Sequence, residues 1–126
     1  MPSPHVAEAR LAPRLKLPAM YTLLRIKPRG EDRYRWTGHI YDISASGMRF
    51  EMDTDLPAGS EIEVRAMLPG ATPTCVTAAG HIVRMHEDDP ALPPVRMAMT
   101  FDRFSHPIDR QKLADYLTDR GLRLAA

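Results

Sequence analysis

The 126-residue chain has one cysteine, Cys75, and no apolar run near the ~18 to 20 residues that cross a bilayer as a helix. A single cysteine excludes an internal disulfide and suits a reducing compartment. The first residues, Met-Pro-Ser-Pro-His-Val-Ala-Glu, lack the basic and apolar regions of a secretory signal, so a cytoplasmic location is expected. Enzymatic signatures are equally scarce. There is no Gly-x-Ser-x-Gly elbow and no phosphate-cradling glycine loop. His81 and His86 are five apart in a strand-like run, which sets them on opposite faces and argues against a shared metal. Asp88 and Asp89 sit in an acidic, proline-rich loop, and Cys75 reads as a small buried hydrophobe. No enzyme, cofactor or metal site is expected, and no membrane insertion.

Hydrophobic residues at 44% and charged residues at 26% suit one folded domain. The net charge of +1 is unevenly spread: residues 1–40 hold eight basic side chains against three acidic ones, so the remainder is acidic. An anionic partner for the first third is one consequence.

Residues 1–16, with Pro2, Pro4 and Pro13, read as a flexible arm carrying Arg10 and Arg14. Residues 17–104 read as strands. Met20 to Lys27 and Arg33 to Ile43 flank the turn Pro28-Arg29-Gly30-Glu31-Asp32 and suit a hairpin. Met48, Phe50 and Met52 alternate with Arg49, Glu51 and Asp53; Ile62, Val64, Ala66 and Leu68 alternate likewise. Thr74 to Met85 is a long strand in which Gly80 signals a bulge or bend, and Val95 to Phe101 is the last. In residues 105–126 the period changes: Ser105 can cap a helix from about His106 to Arg120, with Leu113, Tyr116 and Leu117 on one stripe. The expected fold is mainly β, a single six-stranded antiparallel β-barrel with a C-terminal α-helix packed over one end. Met48, Met52, Met97 and Met99 are expected to fill its core.

The stretch Asp42-Ile43-Ser44-Ala45-Ser46-Gly47 is the chemically suggestive one. On a regular strand Asp42 and Ser44 share a face, and Gly47 can let the chain reverse. An ionised Asp42 accepts hydrogen bonds from the N–H edge of guanine, while an arginine fork matches the base's O6 and N7 or a phosphate. A bland reading stands beside this one: Asp and Ser before Gly often satisfy a local turn.

Arg10-Leu11-Ala12-Pro13-Arg14, 27 intervening residues, and Asp42-x-Ser44-x-x-Gly47 together resemble the PilZ domain family of bacterial cyclic di-GMP receptors. The strand count, the Met97-Ala98-Met99-Thr100-Phe101 strand and the closing helix suit the same family. The resemblance implies that Arg10 and Arg14 hold guanine and phosphate, that Asp42 and Ser44 contact the ligand, and that Gly47 turns beside the site. Ala9 stands where many members carry another arginine, which implies one ligand per domain. The implied protein is a second-messenger receptor that signals to an unidentified protein effector, as a monomer or weak homodimer. The alternatives are a ligand-independent PilZ-like adaptor and an RNA or single-stranded DNA barrel stacking bases on Tyr21, Tyr34, Trp36 and Tyr41. Nucleic acid is the less favoured of these, since aromatics on alternate faces are more often core.

Overall fold

The computed structural model describes residues 15–16, 23–83 and 95–125, with side chains to residue 119. Its elements are β1 (Leu15–Lys16), β2 (Leu23–Pro28), β3 (Trp36–Ile43), β4 (Gly47–Met52), β5 (Glu61–Leu68), β6 (Thr74–Val83), β7 (Val95–Phe104) and α1 (Pro107–Ala125). The strands run in the order β1-β3-β2-β5-β6-β7-β4, and β3 also pairs with β4. That last pairing closes β2 to β7 into a six-stranded antiparallel barrel, leaving no open edge among those six. The short β1 is added outside the closed ring, against Asp42 and Ile43 of β3.

Alternation decides what goes inside. Met48, Phe50 and Met52 of β4, and Ile62, Val64, Ala66 and Leu68 of β5, are all buried. They meet Leu24, Ile26, Ile40 and Ile43 in one core, to which Met97 and Met99 also belong. The methionines are therefore core side chains, as their flexible thioethers suit.

Two strands break the two-residue rule, each through a bulge. In β3, Ile40 pairs with Phe50 and Asp42 with Arg49, so Tyr41 is an extra residue. The extra residue lets Ile40 and Ile43, three apart, both enter the core. At the other bulge, Ala79 pairs with Arg103 and Gly80 with Phe101, which makes Asp102 the extra residue. The bulge expected at Gly80 lies opposite it, with its extra residue in β7, and glycine is required at position 80 by crowding: a Cβ there would strike the carbonyl oxygen of Thr100 and come within 2.8 Å of Met99 Cε.

α1 begins at Pro107, one residue later than the capping pattern suggests, with proline at the first helical position where no N–H is needed. Leu113 and Tyr116 are buried against the barrel and Leu117 packs beside them. Each such burial contributes about 1.5–3 kcal/mol. The Tyr116 hydroxyl donates to Pro69 O at 2.7 Å.

A polar anchor fixes the other end of the helix. Asp109, 3% exposed, accepts the Thr77 N–H at 3.1 Å, just past the point where β7 stops pairing with β6. It also meets Lys112 Nζ at 3.4 Å. Asp109→Ala would leave the partly buried Thr77 N–H unmatched, so urea unfolding should show a loss of about 1 kcal/mol or more. Asp109→Asn, which keeps an acceptor, should lose less than half of that. Equal stability of the alanine variant would mean that the anchor contributes nothing.

Candidate functional site

The hairpin joining β3 to β4 carries most of the chemistry the sequence singled out. Its turn is built by Ser44, whose N–H donates to Gly47 O at 2.8 Å and whose Oγ lies 3.3 Å from the same oxygen. The Ser46 N–H donates to Ser44 Oγ at 3.3 Å, and the two serine hydroxyls are 3.2 Å apart. Ser44 is 1% exposed, so its hydroxyl serves the turn first. Gly47 is the first residue of β4 and has no left-handed backbone. It pairs with Thr100, and a Cβ at this position would collide with the carbonyl oxygen of Met99. Close approach of β7, rather than reversal of the chain, is what requires glycine there.

Asp42 behaves differently from Ser44. The bulge at Tyr41 turns it to the same outer face as its cross-strand neighbour Arg49. Arg49 Nε donates to Asp42 Oδ2 at 2.8 Å, and Arg49 Nη2 contacts the same oxygen. The carboxylate is sheltered, at 5% side-chain exposure, whereas the arginine is 41% exposed. Lys16 of β1 lies opposite Asp42 and Leu15 opposite Ile43. Arg10 and Arg14 are outside the described residues, but Leu15, next in the chain after Arg14, is thus tied to the strand that bears Asp42.

The same bulge puts Tyr41 beside Asp42 on the outside. The Tyr41 hydroxyl donates to Glu51 Oε2 and accepts from Arg96 Nε at 2.8 Å. The Arg96 guanidinium also stands 4.6 Å from the centre of the Tyr41 ring. Burial, and next the hydrogen bond to Glu51, push the Tyr41 phenol above its ordinary pKa, so it remains a donor near neutrality. β3, β4 and β7 therefore present a strip of Asp42, Arg49, Glu51, Tyr41 and Arg96. Such a strip offers forks, carboxylates and a ring face, which is the equipment of recognition.

Arg49, Glu51 and Arg96 were not singled out as site residues from sequence. The signal for Arg49 was present only as strand alternation, because its pairing with Asp42 depends on a register displaced by the bulge. Other candidates disperse. His81 Nδ1 pairs with Asp102 at 3.1 Å, while His86, Asp88 and Asp89 are outside the described residues. Cys75 is half-buried rather than buried, and its sulfur accepts from Arg65 Nε at 3.4 Å. It lies opposite Met67, 38% exposed, on the outer face of the barrel. Among the described residues no group of three or more His, Cys, Asp or Glu is arranged to hold a metal, and no helix is long and apolar enough to cross a membrane.

Comparison with known proteins agrees with this architecture. A family model described as PilZ domain matches residues 8–119. The fold is similar to that of the Bacillus subtilis inhibitor of motility (MotI/DgrA), with a TM-score of 0.68 and 19% identity over 89% of this chain. This chain covers 51% of that protein, so it spans about half its length. It is also similar to the PilZ domain with c-di-GMP of YcgR from Escherichia coli, with a TM-score of 0.61 and 13% identity over 90% of this chain and 94% of that one. At such identities the likeness establishes the fold. No curated protein sequence matches the chain.

Proposed function

Since this chain belongs to the PilZ domain family, whose members are binding and adaptor domains, we propose that it is a cyclic di-GMP receptor that passes the signal to a protein effector. In this reading the segment carrying Arg10 and Arg14 grips guanine and phosphate against the outer face at the β3–β4 hairpin. Asp42 accepts the N1–H and N2–H edge of a guanine, a contact that arginine already makes with it in the free protein. Ser44 and Gly47 hold the hairpin in shape beside the ligand, with the Ser44 hydroxyl bordering it. With Ala9 in place of a further arginine, one ligand binds per domain.

The observation that carries the reading is the β1–β3 pairing. It sets Leu15, the residue after Arg14, opposite Ile43 and next to the sheltered Asp42 carboxylate, which supports an arm able to reach that acceptor. Two fork contacts of ~1 to 3 kcal/mol each can offset the ordering of the arm and leave affinity in the micromolar range.

Calorimetric titration with cyclic di-GMP tests this directly, with a stoichiometry near one expected. Asp42→Ala should weaken binding by about tenfold or more, the loss of a charge-assisted contact. Wild-type protein that gives no heat and no amide shift change on titration would refute the receptor assignment. That outcome would favour a second reading, a ligand-independent adaptor, for which the support is that Arg49 already satisfies Asp42.

A further inference from the structure

The outer face of β2 and β5 carries a ladder of charge whose pattern breaks at one rung. Arg29 Nη1 meets Glu61 at 3.1 Å, and Lys27, directly opposite Glu63, meets it at 3.1 Å. On the next rung of that face Arg25 stands directly opposite Arg65. Like charges in register repel, and sheets normally avoid them. The row continues sideways: Thr37 of β3 lies opposite Arg25, and Thr77 of β6 lies opposite Arg65. Four neighbouring strands thus contribute Thr37, Arg25, Arg65 and Thr77 to one line, two guanidiniums flanked by two hydroxyls.

Among the described residues no carboxylate forms an ion pair with either arginine, since Glu63 is engaged by Lys27. Arg65 is exposed, and its Nε donates to Cys75 Sγ at 3.4 Å. Arg65, though not Arg25, also lines a cleft of about 490 Å³ between the sheet and the start of α1, with Tyr34, Thr77, His106 and Lys112. The one carboxylate in that lining, Asp109, is turned inward, with its oxygens on the Thr77 N–H and on Lys112. The cleft is therefore rich in donors and short of free acceptors. Its volume is that of a small-molecule site.

We propose that Arg25, Arg65 and Thr77 form a binding site for a phosphate-bearing small molecule, separate from the hairpin. An arginine fork matches two phosphate oxygens at once, and an anion bridging Arg25 and Arg65 turns their repulsion into attraction. The two sites use different residues: Arg65 lies on β5, three strands from β4 in either direction round the ring, and Arg25 lies on β2, opposite Thr37 at the far end of β3 from Asp42. Occupation of one leaves the other open.

The test is an amide-shift titration of the full chain with inorganic pyrophosphate. Saturable shifts are expected at Arg25, Thr37, Arg65 and Thr77. Arg65→Ala should weaken pyrophosphate binding by about tenfold or more, and Arg65→Lys by several-fold, because an ammonium cannot make the planar fork. Arg25→Glu is the sharper variant: it completes the ladder with an Arg65 partner, so it should abolish pyrophosphate binding while raising Tm. Cyclic di-GMP affinity in all three should stay within about twofold of wild type. Pyrophosphate shifts confined to the Asp42–Arg49–Arg96 face, competition between the two ligands, or unchanged pyrophosphate affinity in Arg65→Ala would each overturn the proposal, whatever becomes of the hairpin site.

Discussion

Replacing Arg10 and Arg14 together by alanine is expected to weaken cyclic di-GMP binding about thirtyfold or more, with Arg14→Ala alone giving about tenfold. The magnitude follows from the contact type. A bidentate guanidinium contact is worth ~1 to 3 kcal/mol, and each 1.4 kcal/mol is a factor of about ten in affinity. Two lost forks therefore remove about 2–6 kcal/mol. The fold should not change, because the core formed by the described residues runs from Leu24 to Tyr116, with Leu15 packed against it. Calorimetry measures the first effect, and thermal unfolding followed by circular dichroism checks the second. An undiminished affinity in the double variant would show that the ligand is held by something other than this cationic pair.

Gly47→Val should do the reverse, damaging the fold itself. A Cβ at position 47 meets the Met99 carbonyl oxygen, with Met99 C and Thr100 Cα each at 3.3 Å. These are backbone atoms, so no side-chain rotation relieves the clash. β4 must move away from β7 where Gly47 pairs with Thr100, next to the buried Met48–Met99 pair and the Phe101 N–H bond to Ser46 O. Overpacking of this kind costs about 3 kcal/mol. For a domain of this size that lowers Tm by roughly 10 °C. Gly47→Ala should be milder, though still destabilising. A valine variant melting within about 2 °C of wild type would mean that β7 does not approach as closely as described. Because the penalty appears without ligand, thermal unfolding also distinguishes a structural glycine from one needed only for binding.

Some of this was visible in the residues and some was not, and the boundary follows the physics. Strands β4 and β5 could be read directly, since Met48, Phe50 and Met52 and then Ile62, Val64, Ala66 and Leu68 obey a strict period of two and bury one face each. The C-terminal helix was legible from its stripe of Leu113, Tyr116 and Leu117. β3 resisted that reading. Ile40 and Ile43 cannot share a face on a regular strand, and only the extra residue Tyr41 reconciles them. β1 is two residues long, too short to leave a pattern.

The site divides in the same way. Asp42, Ser44 and Gly47 stand out as a local motif because their spacing is short and their chemistry distinctive. Arg49, seven residues beyond Asp42, does not, because its meeting with that carboxylate is set by cross-strand register. Arg96 reaches Tyr41 over 55 positions, and Arg25 confronts Arg65 only because β2 and β5 are neighbours in the closed ring. The sequence by itself determined the mainly β class, the inward faces of the regular strands and the local turn motif, because these depend on period and on nearest neighbours along the chain. The tertiary structure alone decided which charges face each other, why Gly47 must lack a side chain, and where Cys75 lies. Those depend on register, bulges and barrel closure, which couple residues that the chain keeps far apart.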